Sequence, residues 1–247
     1  NMAFNLYSLE SKTILVTGAS AGIGREIAVL CAKMGAQVII NGRKRERLKE
    51  TLELLEGDGH MVVAGDLTLS EERGALVEAL PLLDGVVHCA GIGHRLLCKS
   101  IAESDVDLVM GINFKGPIML QSSLLKNKRI NKSASIVFIT SMASQSPSYG
   151  NALYSASKGA LISYANCLGL ELASRQIRVN CISPAMVRTE LILRDGISEE
   201  QLLEDEKKYP LKRYGQPEDV AALAIYLLSD ASSWMTGSDL KITGGAR

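Results

Sequence analysis

The sequence predicts an α/β fold: one domain over residues 1–247, a doubly wound parallel sheet of about seven strands with helices on both faces. Three observations predict it. Short β-branched runs alternate with helical periodicity from end to end; no linker, repeat or low-complexity tract interrupts them; and a glycine-rich turn joins the first strand to the first helix.

The strand candidates are residues 13–17 (TILVT), 37–40 (QVII), 61–64 (MVVA), 85–88 (GVVH), 135–140 (SIVFIT), 177–182 (IRVNCI) and 240–243 (LKIT). Between them, stretches such as 23–34 and 152–173 place apolar residues at three- and four-residue spacing. Strand–helix–strand repetition implies right-handed crossovers and a sheet buried on both faces. Residues 1–11 read as an N-terminal extension and 186–212, after the sixth strand, as a lid over the substrate. A length of 247 residues suits a (β/α)₈ barrel equally, and the first strand–helix turn decides against it.

Composition narrows the function classes. The chain has 27 Lys+Arg against 27 Asp+Glu, with 47% hydrophobic and 22% charged residues, an ordinary globular balance. Zero net charge argues against a nucleic-acid or acidic-membrane binder. No apolar run approaches the ~18 residues of a membrane span, and residues 1–12 lack a basic-then-apolar signal pattern. Five widely spaced cysteines without a Cys-x-x-Cys pair read as reduced thiols, pointing to the cytoplasm. Three histidines argue against a His-rich zinc site, so no metal is expected; no Gly-x-Ser-x-Gly elbow announces a hydrolase.

The first strand runs into Gly18-Ala-Ser-Ala-Gly22-Ile-Gly24 and then a helix. Glycines are required where backbone turns tightly and approaches a pyrophosphate on a helix N-terminus. The spacing is neither G-x-G-x-x-G nor a P-loop, but its place between strand and helix points to dinucleotide binding. An NAD site places an acid at the end of the second strand, for the ribose 2′-OH. Here that strand ends Ile40-Asn41-Gly42-Arg43-Lys44-Arg45, with no acid before Glu46. Arg43 is therefore assigned to a 2′-phosphate and the cofactor to NADP(H), with Lys44 and Arg45 read as a solvated helix face.

Tyr154-Ser-Ala-Ser-Lys158 lies in a helical stretch, so Tyr154 and Lys158 share one face. A phenol is a poor acid–base group at neutral pH, and a nearby ammonium favours its phenolate. Ser141 ends the fifth strand, and open α/β sheets bind ligands outside the carboxyl ends of their strands.

Taken with Thr17-Gly18-x-x-x-Gly22-x-Gly24, Asp66-Leu67, Ala90-Gly91, Asn113, Ser141, Tyr154-x-x-x-Lys158 and Pro184, the chain resembles the short-chain dehydrogenase/reductase family, of Rossmann type, from Lys12 to Gly245. That resemblance implies four catalytic residues. Tyr154 would protonate the carbonyl oxygen, Lys158 lower the Tyr pKa and hold the nicotinamide ribose, Ser141 bond the developing alkoxide, and Asn113 kink its helix and hold a relay water. It also completes a cofactor-binding set: Gly18, Ser20, Gly22, Ile23, Gly24, Arg43, Asp66, Leu67, Cys89, Ala90, Gly91, Tyr154, Lys158, Pro184, Val187 and Thr189. Asp66 would meet the adenine, and Val187 and Thr189 the carboxamide and pyrophosphate.

Two departures from the family pattern stand out. Asn-Asn-Ala-Gly appears as His88-Cys89-Ala90-Gly91, and Pro-Gly as Pro184-Ala185. Cys89 lacks the donors of an amide; His88 reads as a packed strand-end histidine.

The overall look is of 3-oxoacyl-(acyl-carrier-protein) reductases, carried by Tyr-Ser-Ala-Ser-Lys158, Arg213-Tyr-Gly-Gln-Pro217-Glu-Asp-Val220 and Trp234-Met-Thr-Gly237. Many sugar, polyol and steroid dehydrogenases share the C-terminal block. Lys126, Lys128, Arg129 and Lys132 form a basic cluster that either docks an acidic carrier or is a solvated helix end. The family's second carrier-docking base falls at Leu170, which counts against the carrier assignment. Leu191, Ile192 and Leu193 either line the pocket or pack the lid. Three functions stay open: NADPH-dependent reduction of 3-oxoacyl thioesters, oxidoreduction of a sugar, polyol, steroid or other small ketone, and a non-catalytic NADP-binding subunit. Intact Asn113, Ser141, Tyr154 and Lys158 argue against the last. Family likeness further implies a homotetramer, or a homodimer.

Overall fold

Period-two alternation divides each strand between two cores. Ile14 and Val16 of β1 (Thr13–Thr17), with Val38 and Ile40 of β2 (Gln37–Gly42), enter one apolar cluster; Leu15 and Ile39 enter the other. The same split continues through β4 (Leu83–His88), β5 (Ile130–Ile139) and β6 (Arg178–Pro184). Strands apolar on both faces belong inside a parallel sheet.

A computed structural model describes residues 5–190 and 198–246. With β3 (Met61–Ala64) and β7 (Asp239–Ile242), its seven strands form one parallel sheet in the order β3-β2-β1-β4-β5-β6-β7. One face is covered by α1 (Gly22–Lys33), α2 (Arg45–Leu52) and α8 (Pro217–Leu228), through Ile27, Cys31, Leu48, Val220 and Ala224. The other is covered by α3 (Ser70–Ala79), α5 (Gly116–Lys126) and α6 (Ala152–Leu172), through Leu76, Leu120, Leu124, Leu161 and Leu168. Fully buried aliphatic side chains of this size contribute about 1.5–3 kcal/mol each. Two further helices, α4 (Glu103–Met110) and α7 (Glu199–Glu206), lie at the cleft edge and after the sixth strand.

The fifth strand starts earlier than its apolar run suggests. Ile130 already pairs with Leu83, and a register shift follows before Gly85 meets Ser135. Exposed Lys132 and Ser133, the latter at φ 64°, occupy that irregularity, so the polar start hides the strand. The N-terminal segment is anchored: Leu9 is fully buried, its N–H bonded to the Met34 carbonyl at 2.9 Å.

Candidate functional site

Strand order reverses at β1, with β2 on one side and β4 on the other, and crevices open at such switch points. Here the crevice is a cleft of about 710 Å³ at the carboxyl ends of the strands. All sixteen residues of the expected cofactor set line it, together with Ser141. The glycine turn forms its floor. Gly18 has φ 65°, and a Cβ there would lie 2.8 Å from the Ala90 backbone; one on Gly24 would lie 2.3 Å from the Gly18 carbonyl oxygen. Only glycine lets α1 start this close to the strand, where its first N–H groups have no helical partners and favour an anion. Thr189 closes the turn from the other side, its Cγ2 being 3.3 Å from where a Gly22 Cβ would stand. A strand–turn–helix cradle beside a cleft of this size fits a dinucleotide.

At the end of β2, Arg43 and Lys44 line the cleft, and so does Arg47 one helical turn on. Lys44 is thus part of the cleft wall, whereas Arg45 is exposed away from it. Arg47 was not singled out from sequence; its four-residue offset from Arg43 was the available signal. Its Nη2 donates to both carboxylate oxygens of Glu190, at 2.7 and 2.8 Å. Asp66 is fixed by an Asx turn, accepting from the Thr68 N–H at 2.9 Å and its hydroxyl at 2.7 Å.

Ser141, Tyr154 and Lys158 converge at the opposite end of the cleft. Ser141 stands two residues beyond β5, and its Oγ accepts the Ala143 N–H at 3.1 Å. Behind it, the Thr140 and Ser183 hydroxyls bond at 2.8 Å, and Ser183 donates to Asp239 at 2.6 Å, locking three strand ends together. Lys158 is buried; its Nζ donates to the Ile139 carbonyl at 3.0 Å and lies 5.7 Å from the Tyr154 ring centroid. Three N–H donors with one so engaged leave the ammonium able to serve Tyr154 and a ribose.

Asn113 sits beneath this group, fully buried and off the cleft wall. The expected kink is a wide turn, Gly111–Lys115, in which the Gly116 N–H reaches back to the Gly111 carbonyl. Its side chain spends its bonds on protein: both backbone groups of Ile92, and the Ser157 hydroxyl at 3.1 Å. Ser157 in turn donates to the Tyr154 carbonyl at 2.7 Å.

At the end of β4 the backbone is held by Thr17. The Thr17 hydroxyl accepts the Cys89 and Ala90 N–H groups at 3.1 and 3.3 Å, bracing β1 against β4. His88 is packed, as its position suggests: its ring stacks on Phe138 at 4.5 Å, and Nε2 bonds Gln121 Oε1 at 2.9 Å. Burial pulls its pKa down to about 4, so the imidazole is neutral, and among the described residues its Nδ1 has no partner. Burial likewise pushes the Cys89 thiol up to about 12, despite the opposing charge of Lys158.

After β6, the Val187–Gly215 bridge and two backbone bonds, Arg188 N to Gly215 O at 2.8 Å and Gly215 N to Met186 O at 2.9 Å, hold the arm toward the cleft. Arg188 anchors it to Glu206 at 2.6 Å and to Glu199 at 2.7 Å, and holds the Glu206 carboxyl below the usual range. Leu191, Ile192, Leu193 and Asp195 lie outside the described residues. His94, Arg95 and Tyr209 also line the cleft, unanticipated from sequence; His94 bonds Asp105 at 2.8 Å. Lys126, Lys128, Arg129 and Lys132 are not brought to the cleft. They lie at and just before the start of β5, about 25 Å along the strand from Ser141. No helix among the described residues is long and apolar enough to cross a membrane.

Comparisons with known proteins agree with this geometry. A family model described as enoyl-(acyl carrier protein) reductase matches residues 18–247. A 3-oxoacyl-(acyl-carrier-protein) reductase of Rickettsia felis is 36% identical over 240 residues, 97% of this chain and 98% of its own. The L-xylulose reductase of Caenorhabditis elegans is also 36% identical, over 97% of each chain. Among solved structures, a candidate NAD(P)-dependent gluconate 5-dehydrogenase from Beutenbergia cavernae, with NADP at low occupancy, superposes with a TM-score of 0.88 at 32% identity over 98% of both chains. A cleft built on this glycine turn, with Ser, Tyr and Lys at its far end, and these full-length likenesses lead to one conclusion: the chain belongs to the short-chain dehydrogenase/reductase family and is an oxidoreductase of C=O/CH–OH groups using a nicotinamide cofactor.

Proposed function

We propose that this oxidoreductase is an NADPH-dependent carbonyl reductase of 3-oxoacyl thioesters, carried on acyl carrier protein or a smaller thiol. One observation carries the reading: a single cleft joins Ser141, Tyr154 and Lys158 to a β2 end where Arg43, Lys44 and Arg47 stand in place of an acid. The 3-oxoacyl-(acyl-carrier-protein) reductases at 35–36% identity support the substrate class.

Bound in this cleft, the nicotinamide would supply hydride to the substrate carbonyl carbon. Tyr154 donates the proton to the carbonyl oxygen, and Ser141 Oγ donates a hydrogen bond to the same oxygen as charge develops. Lys158, held by Ile139, places its ammonium beside the phenol and favours the phenolate left behind. Asn113 positions the helix that carries Tyr154. Ser20, Gly22 and Ile23 hold the pyrophosphate, Asp66 and Leu67 the adenine, and Arg43 the 2′-phosphate; Val187 and Thr189 close over the cofactor from an arm that begins a lid at 186–212. The assembly is a cytoplasmic homotetramer: Leu170 is 81% exposed on α6, and Leu108 and Met119 expose further apolar surface on α4 and α5, surface that helix pairing across a two-fold would cover.

A sugar or polyol ketone is the second reading, favoured by the equal identity of the L-xylulose reductase. The test follows NADPH consumption with an acetoacetyl thioester, with NADH and Tyr154→Phe in parallel. NADPH-selective turnover that Tyr154→Phe abolishes, with cofactor binding retained, is expected. Tight NADPH binding without thioester turnover would move the substrate to the sugar class, and activity in Tyr154→Phe would overturn the mechanism.

A further inference from the structure

We infer that Arg47 and Glu190 form a strap that couples recognition of a ribose 2′-phosphate to closure of the arm after β6. The inference rests on the NADP(H) reading above. Arg47 lies in the first turn of α2, on the wall beside Arg43 and Lys44; Glu190 follows Thr189 on the arm, 143 residues later in sequence. Their ion pair therefore crosses the adenosine end of the cleft.

The geometry of the pair leaves it incomplete. Only Nη2 of Arg47 engages the carboxylate, so among the described residues Nε and Nη1 donate to nothing. A guanidinium carries five N–H donors in a fixed fork. A phosphate at the end of β2 would accept from Nε or from Nη1, which lie on opposite sides of the guanidinium, in a charge-assisted bond made while Nη2 keeps Glu190. A bare ribose hydroxyl offers no such charge. The backbone under Arg47 is already fixed. Arg25 Nη2 donates to the Ser20 carbonyl at 2.7 Å and to Glu50 at 3.0 Å, and its Nε to the Thr51 hydroxyl at 3.0 Å, tying α2 to the glycine turn.

The strap is weak by itself. The two side chains are 27% and 54% exposed, and solvent-exposed ion pairs hold little. A phosphate that fixes the guanidinium removes the entropy the pair would otherwise lose, so the arm closes more firmly over a phosphorylated cofactor than over its unphosphorylated counterpart. Thr189, packed against Gly22 on the same arm, moves with it.

Equilibrium binding of NADPH and of NADH to wild type, Arg47→Gln, Glu190→Gln and the double variant tests this, with amide exchange read at residues 187–189. Arg47→Gln should weaken NADPH about tenfold, and Glu190→Gln about threefold. NADH should change by less than about twofold for each, as neither strap residue meets a 2′-hydroxyl. The double variant should be no weaker than Arg47→Gln, and NADPH should slow exchange in the arm more than NADH, a difference lost in Glu190→Gln. NADPH binding that is unchanged or tighter in Glu190→Gln makes the carboxylate a bystander or a rival and overturns the strap. So does equal loss for both cofactors. A wild-type preference for NADPH that Arg47→Gln leaves undiminished overturns the strap alone, whereas equal wild-type affinity for both cofactors overturns the NADP(H) reading with it.

Discussion

Asn113 takes both backbone groups of Ile92: Oδ1 accepts its N–H at 2.8 Å and Nδ2 donates to its carbonyl at 2.9 Å. The loop after β4, the wide helical turn and the Tyr154 helix are thereby one hydrogen-bonded unit. Asn113→Ala strands both part-buried backbone groups of Ile92 and takes one bond from the Ser157 hydroxyl, which keeps the Tyr154 carbonyl. Each unpaired group costs about 1–3 kcal/mol, so a loss of about 3 kcal/mol is expected, less than the sum because the loop relaxes. Urea unfolding measures it. An unchanged midpoint would mean the loop holds its shape without Asn113.

His88 gives the fold a predictable acid sensitivity. Folded, the imidazole stays neutral down to about pH 4; unfolded, it takes its proton below 6.5. The unfolded state therefore binds more protons across this window, and stability falls as pH falls from 6.5 to 4. A shift of this size amounts to about 3 kcal/mol. Denaturant midpoints measured from pH 7 to pH 4 should show that slope in wild type and lose it in His88→Asn, where an amide can still bond Gln121. A slope that persists in His88→Asn would assign the sensitivity to other groups.

Local chemistry explains what sequence could deliver. The glycine turn, the Tyr154–Lys158 pair and Ser141 at a strand end each encode their geometry within a few residues, so the fold class and the cleft's inner wall were legible. Lys132 and Ser133 hid the start of β5, because a polar irregularity carries no periodic signal. Arg47 and Glu190 meet only through the topology of the sheet, and so do His94 and Tyr209 at the cleft. Nothing in the local sequence of the Lys126–Lys132 region says at which end of the sheet it stands; strand direction does.

Thiol reactivity should follow burial rather than proximity to the cleft. Cys89 lines the cleft, yet desolvation holds its thiol near 12, and Cys31 and Cys181 are buried with raised values too. Cys98 and Cys167 are exposed. Thiolate is the reacting form, so iodoacetamide at pH 8 should label Cys98 and Cys167 first and spare Cys89, as read by peptide mass spectrometry. Early labelling of Cys89 would mean that the nearby Lys158 ammonium outweighs burial.

The basic cluster stands at the wrong end of the sheet to present an acyl chain to Tyr154. The strand between them spans about 25 Å, and β5 is buried along its inner length. Lys126, Lys128 and Lys132 are exposed, whereas Arg129 is half-buried and donates to the Glu78 carbonyl at 3.3 Å, a structural contact to be left intact. Replacing the three lysines by alanine should therefore leave KM for a carrier-bound 3-oxoacyl substrate within about twofold, the change expected from lost long-range steering alone. Varying ionic strength separates the two cases. A carrier docked on these lysines would show a KM that rises steeply with salt in wild type and flattens in the triple variant. A remote cluster gives parallel salt dependences, and the docking surface is then sought among the groups that rim the cleft mouth.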